Sequence, residues 1–143
     1  MLAVHGKLNP SVADWNAYCA LTAACLTPHD VQGITVTVGA GPNARQRNQV
    51  STIHKQIGVP ADAKGCVITD SALVRGVVTA FTWAGVVKRI RAFPLRDLFK
   101  GFEYVSIDQS EHMNILSVLQ KLGEEIADGN PVLDASNQIA QKT

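Results

Sequence analysis

No stretch of the chain approaches the run of about 18 apolar residues that a membrane-spanning helix needs. The first eight residues, MLAVHGKL, have neither the basic start nor the long apolar centre of a signal peptide. A soluble, cytoplasmic protein with no integral membrane segment is therefore expected. An excess of one charge is also missing: 13 Lys/Arg face 12 Asp/Glu, for a formal net charge of +1. Binding to nucleic-acid phosphates usually brings a strong basic balance, so no nucleic-acid partner is expected. Cysteine is sparse and odd in number. Cys19, Cys25 and Cys66 show no CxxC spacing and no histidine companion, which disfavours a disulfide framework or a zinc knuckle and leaves buried thiols in a reducing compartment. His5, His29, His54 and His112 are dispersed, and none pairs with a cysteine or an acid in a recognisable motif. Neither a metal site nor a catalytic constellation follows, and the absence of GK[ST] excludes a P-loop.

What is present is a chain of 143 residues, 46% hydrophobic, enough to build the core of one ordinary domain. Four β-branched or apolar runs recur at about 2–8, 33–39, 65–70 and 86–93, each followed by a segment of helical periodicity. Such alternation predicts an α/β fold: a sheet of about four mostly parallel strands, joined by right-handed crossovers and flanked by about five helices. Asn9-Pro10-Ser11 opens the first helix, with the proline at its first position and Val12, Trp15, Cys19, Thr22 and Leu26 on one face. A second helix over about 43–57 turns Val50, Ile53 and Ile57 inward and stops before Gly58. The third starts at Asp70-Ser71 and buries Leu73, Val74, Val77, Ala80, Phe81 and Ala84. A fourth runs from Pro94 to about Tyr104, and a last one near 111–127 carries Ile115, Leu119, Leu122 and Ile126. The domain is thus placed at 1–127. The polar, turn-rich remainder, 128–143, reads as a flexible C-terminal tail.

Residues 36–45, VTVGAGPNAR, pose the main functional question. GAGPNA satisfies G-x-G-x-x-A between a strand and a helix, the context of a dinucleotide-binding turn. Pro42, however, removes one backbone donor that a pyrophosphate would need. Asp70, the acid that ends the next strand, lies 31 positions beyond Gly39, where the fingerprint wants one about 20 on. A structural turn is the preferred reading, and no cofactor is expected. In TDS, 69–71, Asp70 or Ser71 reads as a helix cap rather than a nucleophile. KRIRAFPLR gathers Lys88, Arg89, Arg91 and Arg96 on an expected edge strand, where charge guards against sheet-to-sheet pairing.

Three stretches together resemble the STAS superfamily, in particular its SpoIIAA-like, SEC14-related branch of anti-sigma-factor antagonists. They are VHGKLNPSVADWNAYCA, GITVTVGAGPNARQRNQV, and VITDSALVRGVVTAFTW followed by IRAF, spanning about residues 2–127. The resemblance implies a cytosolic protein-interaction module in a bacterial regulatory system. In the antagonists such a module is switched by phosphorylation of a Ser or Thr in the loop before the second helix. Here that loop, Gly39 to Ala44, has no hydroxyl side chain, so the usual switch is absent. The expected protein is a non-enzymatic interaction or scaffold module whose partner is a regulatory protein or a second copy of the chain. A carrier of a small apolar or lipid-like ligand is the alternative, and a small nucleotide-dependent enzyme the third reading. The expected partner surface is the outward face of the third helix, Arg75, Gly76, Thr79 and Trp83. Asn43, Gln46 and Arg47, at the entrance to the second helix, are candidates either for anion or partner contact or for capping of the local backbone.

Overall fold

The computed structural model describes residues 1–26, 32–39, 41–60, 63–83, 89–126 and 129–140, except for the side chains of Phe81, Trp83, Asp134 and Ala140. Strand β1 (Leu2–His5) leads to helix α1 (Val12–Cys25), β2 (Gln32–Thr37) to α2 (Ala44–Ile57), β3 (Lys64–Ile68) to α3 (Ala72–Trp83), and β4 (Ile90–Phe93) to α4 (Leu98–Tyr104). Helices α5 (His112–Glu124) and α6 (Pro131–Ala140) follow, and short 3-10 turns at Leu95–Asp97 and Gln109–Glu111 lead into α4 and α5. All strand pairs are parallel, in the order β1-β2-β3-β4. The α/β architecture with a four-stranded parallel sheet is as the alternating pattern predicts, with six helices among the described residues where about five were expected.

Strand alternation divides the sheet side chains between two unequal layers. Ile34 and Val36 of β2 and Cys66 and Ile68 of β3 point to one face. There they meet Leu98 and Phe102 of α4, Leu116 and Leu119 of α5, and Val132 and Ala135 of α6. Most of this cluster is fully enclosed, and each buried Leu or Phe contributes about 1.5–3 kcal/mol. Gly101 lets α4 lie directly on β3, since a Cβ there would collide with the Ile68 side chain. On the other face His5 meets Tyr18 of α1 edge-on, at 5.5 Å between ring centroids, and Trp15 Nε1 ties α1 to α2 by donating to Gln49 Oε1 at 3.0 Å. This layer is thinner: Trp15, Cys19 and Thr22 of α1 and Val74 of α3 are buried, whereas α2 buries no residue fully.

Several boundary expectations need correction. Pro10 precedes the cap of α1 instead of occupying its first turn; Ser11 is the cap, in a reciprocal box with Asp14. Val12 and Leu73, expected in the core, are 79% and 67% exposed, because each opens its helix above the rim of the sheet. Ala80 is exposed, and Val50, Ile53 and Ile57 are half-buried only. Leu122 is 39% exposed, since α5 turns that side away from the sheet. Ala84 and the Phe81 side chain lie outside the described residues. The segment read as a flexible tail contains α6, whose Pro131, Val132 and Ala135 are fully buried. Asn130 opens that helix: its Oδ1 accepts from the Val132 and Leu133 amides, and its Nδ2 donates to Gln120 O of α5.

Candidate interaction surface

The glycine turn is built for close packing. A Cβ at Gly39 would come within 2.5 Å of Gly6 O, so the turn after β2 rests on the backbone that leaves β1. Gly41 has φ +77, in the left-handed region that favours glycine, and faces Val74 at the start of α3. Three of the backbone donors here have local acceptors. Gly39 N–H donates to Thr37 Oγ1 at 3.1 Å, and Gln46 N–H to Asn43 Oδ1 at 3.0 Å; Asn43 N–H returns to Gln46 Oε1 at 2.8 Å. Arg47 donates to Pro42 O at 2.6 Å. Asn43, Gln46 and Arg47 are therefore brought together by the start of α2, and each is engaged with local backbone.

Asp70 and Ser71 take separate roles. Ser71 Oγ accepts from Val74 N–H at 3.3 Å and caps α3. Asp70 reaches across the sheet, accepting from Leu95 N–H at 3.0 Å and from Gln138 Nε2 of α6 at 3.2 Å. The connection after β3 enters the α1–α3 layer and the one after β4 the α4–α6 layer. Divergence of neighbouring connections creates the usual ligand crevice of open α/β sheets. In this protein Asp70 bridges that position with its own hydrogen bonds.

The outward face of α3 carries no charge beyond Arg75, whose guanidinium folds back to donate to Thr69 O at 2.9 Å. Ala72, Leu73, Gly76, Thr79 and Ala80 are exposed, and a Cβ at Gly76 would meet nothing within 4 Å. Thr79 Oγ1 donates to Arg75 O within the helix, leaving its methyl outward. Of the four residues expected on this surface, Arg75, Gly76 and Thr79 share one side of α3; the Trp83 side chain lies outside the described residues. Sequence reasoning missed the matching feature on α1, where Val12, Ala13, Ala17, Ala20, Leu21 and Ala24 are exposed and Asp14 is the one charged residue of the helix. The signal was the even scatter of alanine and leucine around α1, which leaves it without a polar side.

Charge is unevenly divided along the chain. Residues 1–96, which form the sheet and the α1–α3 layer, hold 10 Lys/Arg and 4 Asp/Glu; residues 97–143 hold 3 and 8. Among the described residues no three His, Cys, Asp or Glu side chains converge as metal ligands, and no helix is long and apolar enough to cross a membrane. Burial pushes the Cys66 thiol up to about 12, so it stays protonated and unreactive at neutral pH. No family model, curated protein or solved structure matches the chain.

Proposed function

We propose that the chain is a non-catalytic, STAS-like interaction or scaffold module of a bacterial regulatory system, acting in the cytoplasm and docking a protein through the outer face of α3. The observation that carries this reading is the uncharged, small-residue face of α3: Leu73 is 67% exposed, and Gly76 opens onto empty space. A helix interior glycine costs about 1 kcal/mol relative to alanine, and leaving it on a surface is best understood where another backbone approaches. The resemblance to the antagonists supports the same neighbourhood, because their partners dock around the second and third helices. The nucleotide-enzyme reading is weakened by the engagement of the Gly39, Asn43 and Gln46 amides with local acceptors and by Pro42, which has no amide to offer.

The test is Thr79→Glu, which sets a charge in the middle of the α3 face without touching the core. Light scattering behind size-exclusion chromatography and pull-down should register a lost partner or a reduced oligomeric state. Unchanged association by a folded variant would rule out this surface. Native mass spectrometry of protein purified from its host separates the other readings, since a retained lipid or nucleotide would replace the interaction module with a carrier or an enzyme.

A further inference from the structure

The end of the sheet opposite the glycine turn holds a second feature. A cleft of about 310 Å³ opens beside β4, lined by Lys64, Thr82, Arg89, Ile90, Arg91 and Tyr104. Because Gly65 pairs with Ile90 and Cys66 with Arg91, continuing the register sets Lys64 directly beside Arg89. Strand alternation turns Lys64, Arg89 and Arg91 to the same face. Like charges at neighbouring cross-strand positions repel. Tyr104 partly holds the group in place: the Arg91 guanidinium lies over its ring at 4.9 Å from the centroid, and Lys64 Nζ at 5.9 Å. Lys64 Nζ also donates to Ser106 Oγ at 2.9 Å, and Ser106 is the one non-glycine residue at positive φ among the described residues, at φ 64. Among the described residues none of the three cations has a carboxylate within ion-pair distance, and Lys100 and Asp97 form the one such pair.

The same cleft borders the outer edge of β4, which pairs with no strand among the described residues other than β3. Arg89 O and Phe93 O accept from Gly65 N–H and Thr69 N–H of the β3 side, so alternation turns the backbone groups of Ile90 and Ala92 away from the sheet. Thr82 Oγ1 already donates to Ile90 O at 3.2 Å, and among the described residues nothing pairs with the N–H and C=O of Ala92, which can receive a neighbour. Edge cations discourage indiscriminate strand pairing, and the same cations select a strand of opposite charge.

We propose that this cleft binds a carboxylate-rich, extended peptide segment of a protein partner, laid beside β4 with its backbone paired at Ala92 and its acidic side chains on Lys64, Arg89 and Arg91. Main-chain pairing at a sheet edge supplies register, and the charges supply selectivity. Exposed polar backbone in the lining favours a peptide over a nucleic acid, which has no matching ladder of amides. The inference rests on the interaction-module reading and names the chemistry of a partner at a site separate from α3.

The experiment uses the full chain and a fluorescein-labelled nonapeptide that alternates glutamate with valine, followed by fluorescence anisotropy at low and high salt. The glutamate peptide should bind, weaken with salt, and lose about tenfold in affinity with Arg89→Glu or Arg91→Glu. Its glutamine counterpart and an N-methylated version unable to donate to Ala92 O should bind at least about tenfold more weakly. Where a charge reversal unfolds the protein by circular dichroism, Arg89→Gln and Arg91→Gln replace it. Equal binding of the glutamine or N-methylated peptide, or unchanged affinity of the folded variants, overturns the proposal. So does tighter binding of ATP or oligo(dT) than of the peptide, which would make the cleft a phosphate site. Thr79→Glu should leave peptide affinity unchanged, so failure here and failure of the α3 interface are read independently.

Discussion

His5 ends β1 beneath the Tyr18 ring, and burial holds its imidazole below the ordinary value of 6.5; His54 in α2 is shifted the same way by the same cause. A base whose folded pKa is depressed binds protons more readily when unfolded. Stability is then complete above the unfolded value and declines as pH falls through the folded one. The urea midpoint should drop between about pH 7.5 and about pH 5, and His5→Phe, which keeps a ring against Tyr18, should flatten part of that slope. An identical slope in the variant would assign the acid sensitivity to other groups. Individual residues were unevenly legible in the sequence. The capping pair Asn43 and Gln46 could be placed at the start of a helix from their spacing. The bridging role of Asp70 could not, because its partners Leu95 and Gln138 lie 25 and 68 positions away.

Helix α6 is the element whose removal the core would notice first, since Val132 and Ala135 close the cluster over β2 and β3. Its cap, Asn130, serves two helices at once. Asn130→Ala should cost about 1 kcal/mol from the cap alone and more from the lost bond to the Gln120 carbonyl. Asn130→Asp keeps the acceptor and should cost less, a ranking that urea denaturation measures directly. Equal losses in both variants would deny the cap its role. The helix was hidden by composition: GNP reads as a turn, and Val132, Ala135 and Ile139 form a short apolar stripe among Asp, Ser, Asn and Gln. Asn130-Pro131 is nevertheless a cap followed by a first-turn proline, the signal misassigned at Asn9-Pro10. The longer β-branched runs and the Gly58 terminator, at φ 72, were readable because local conformation decides them. Faces of α1 and α3 were harder, since their apolar residues surround the axis and only tertiary packing selects which side is covered.

At the scale of the whole molecule, one sheet supports two layers of unequal depth. The α4–α6 side supplies most of the enclosed apolar side chains, while the α1–α3 side is shallow, with a polar α2 between two charge-poor helices. The proposed α3 surface lies on the shallow side, and because Thr79, Arg89 and Arg91 are exposed, Thr79→Glu and the β4-edge variants should be compatible with folding. The partition of charge along the chain has a separate consequence. A net charge of +1 suggests a protein nearly indifferent to ion exchangers at neutral pH, yet the chain divides into a portion of formal charge +6 and one of −5, from 10 against 4 and 3 against 8. Charge of opposite sign is concentrated in different parts of the chain, and an adsorbing surface responds to the nearest field instead of the sum. At low ionic strength and pH near 7 the protein should be retained on both cation- and anion-exchange resins, turning a different portion to each, and leave both at modest salt. Passage through either resin without delay would mean that the two fields cancel at the surface.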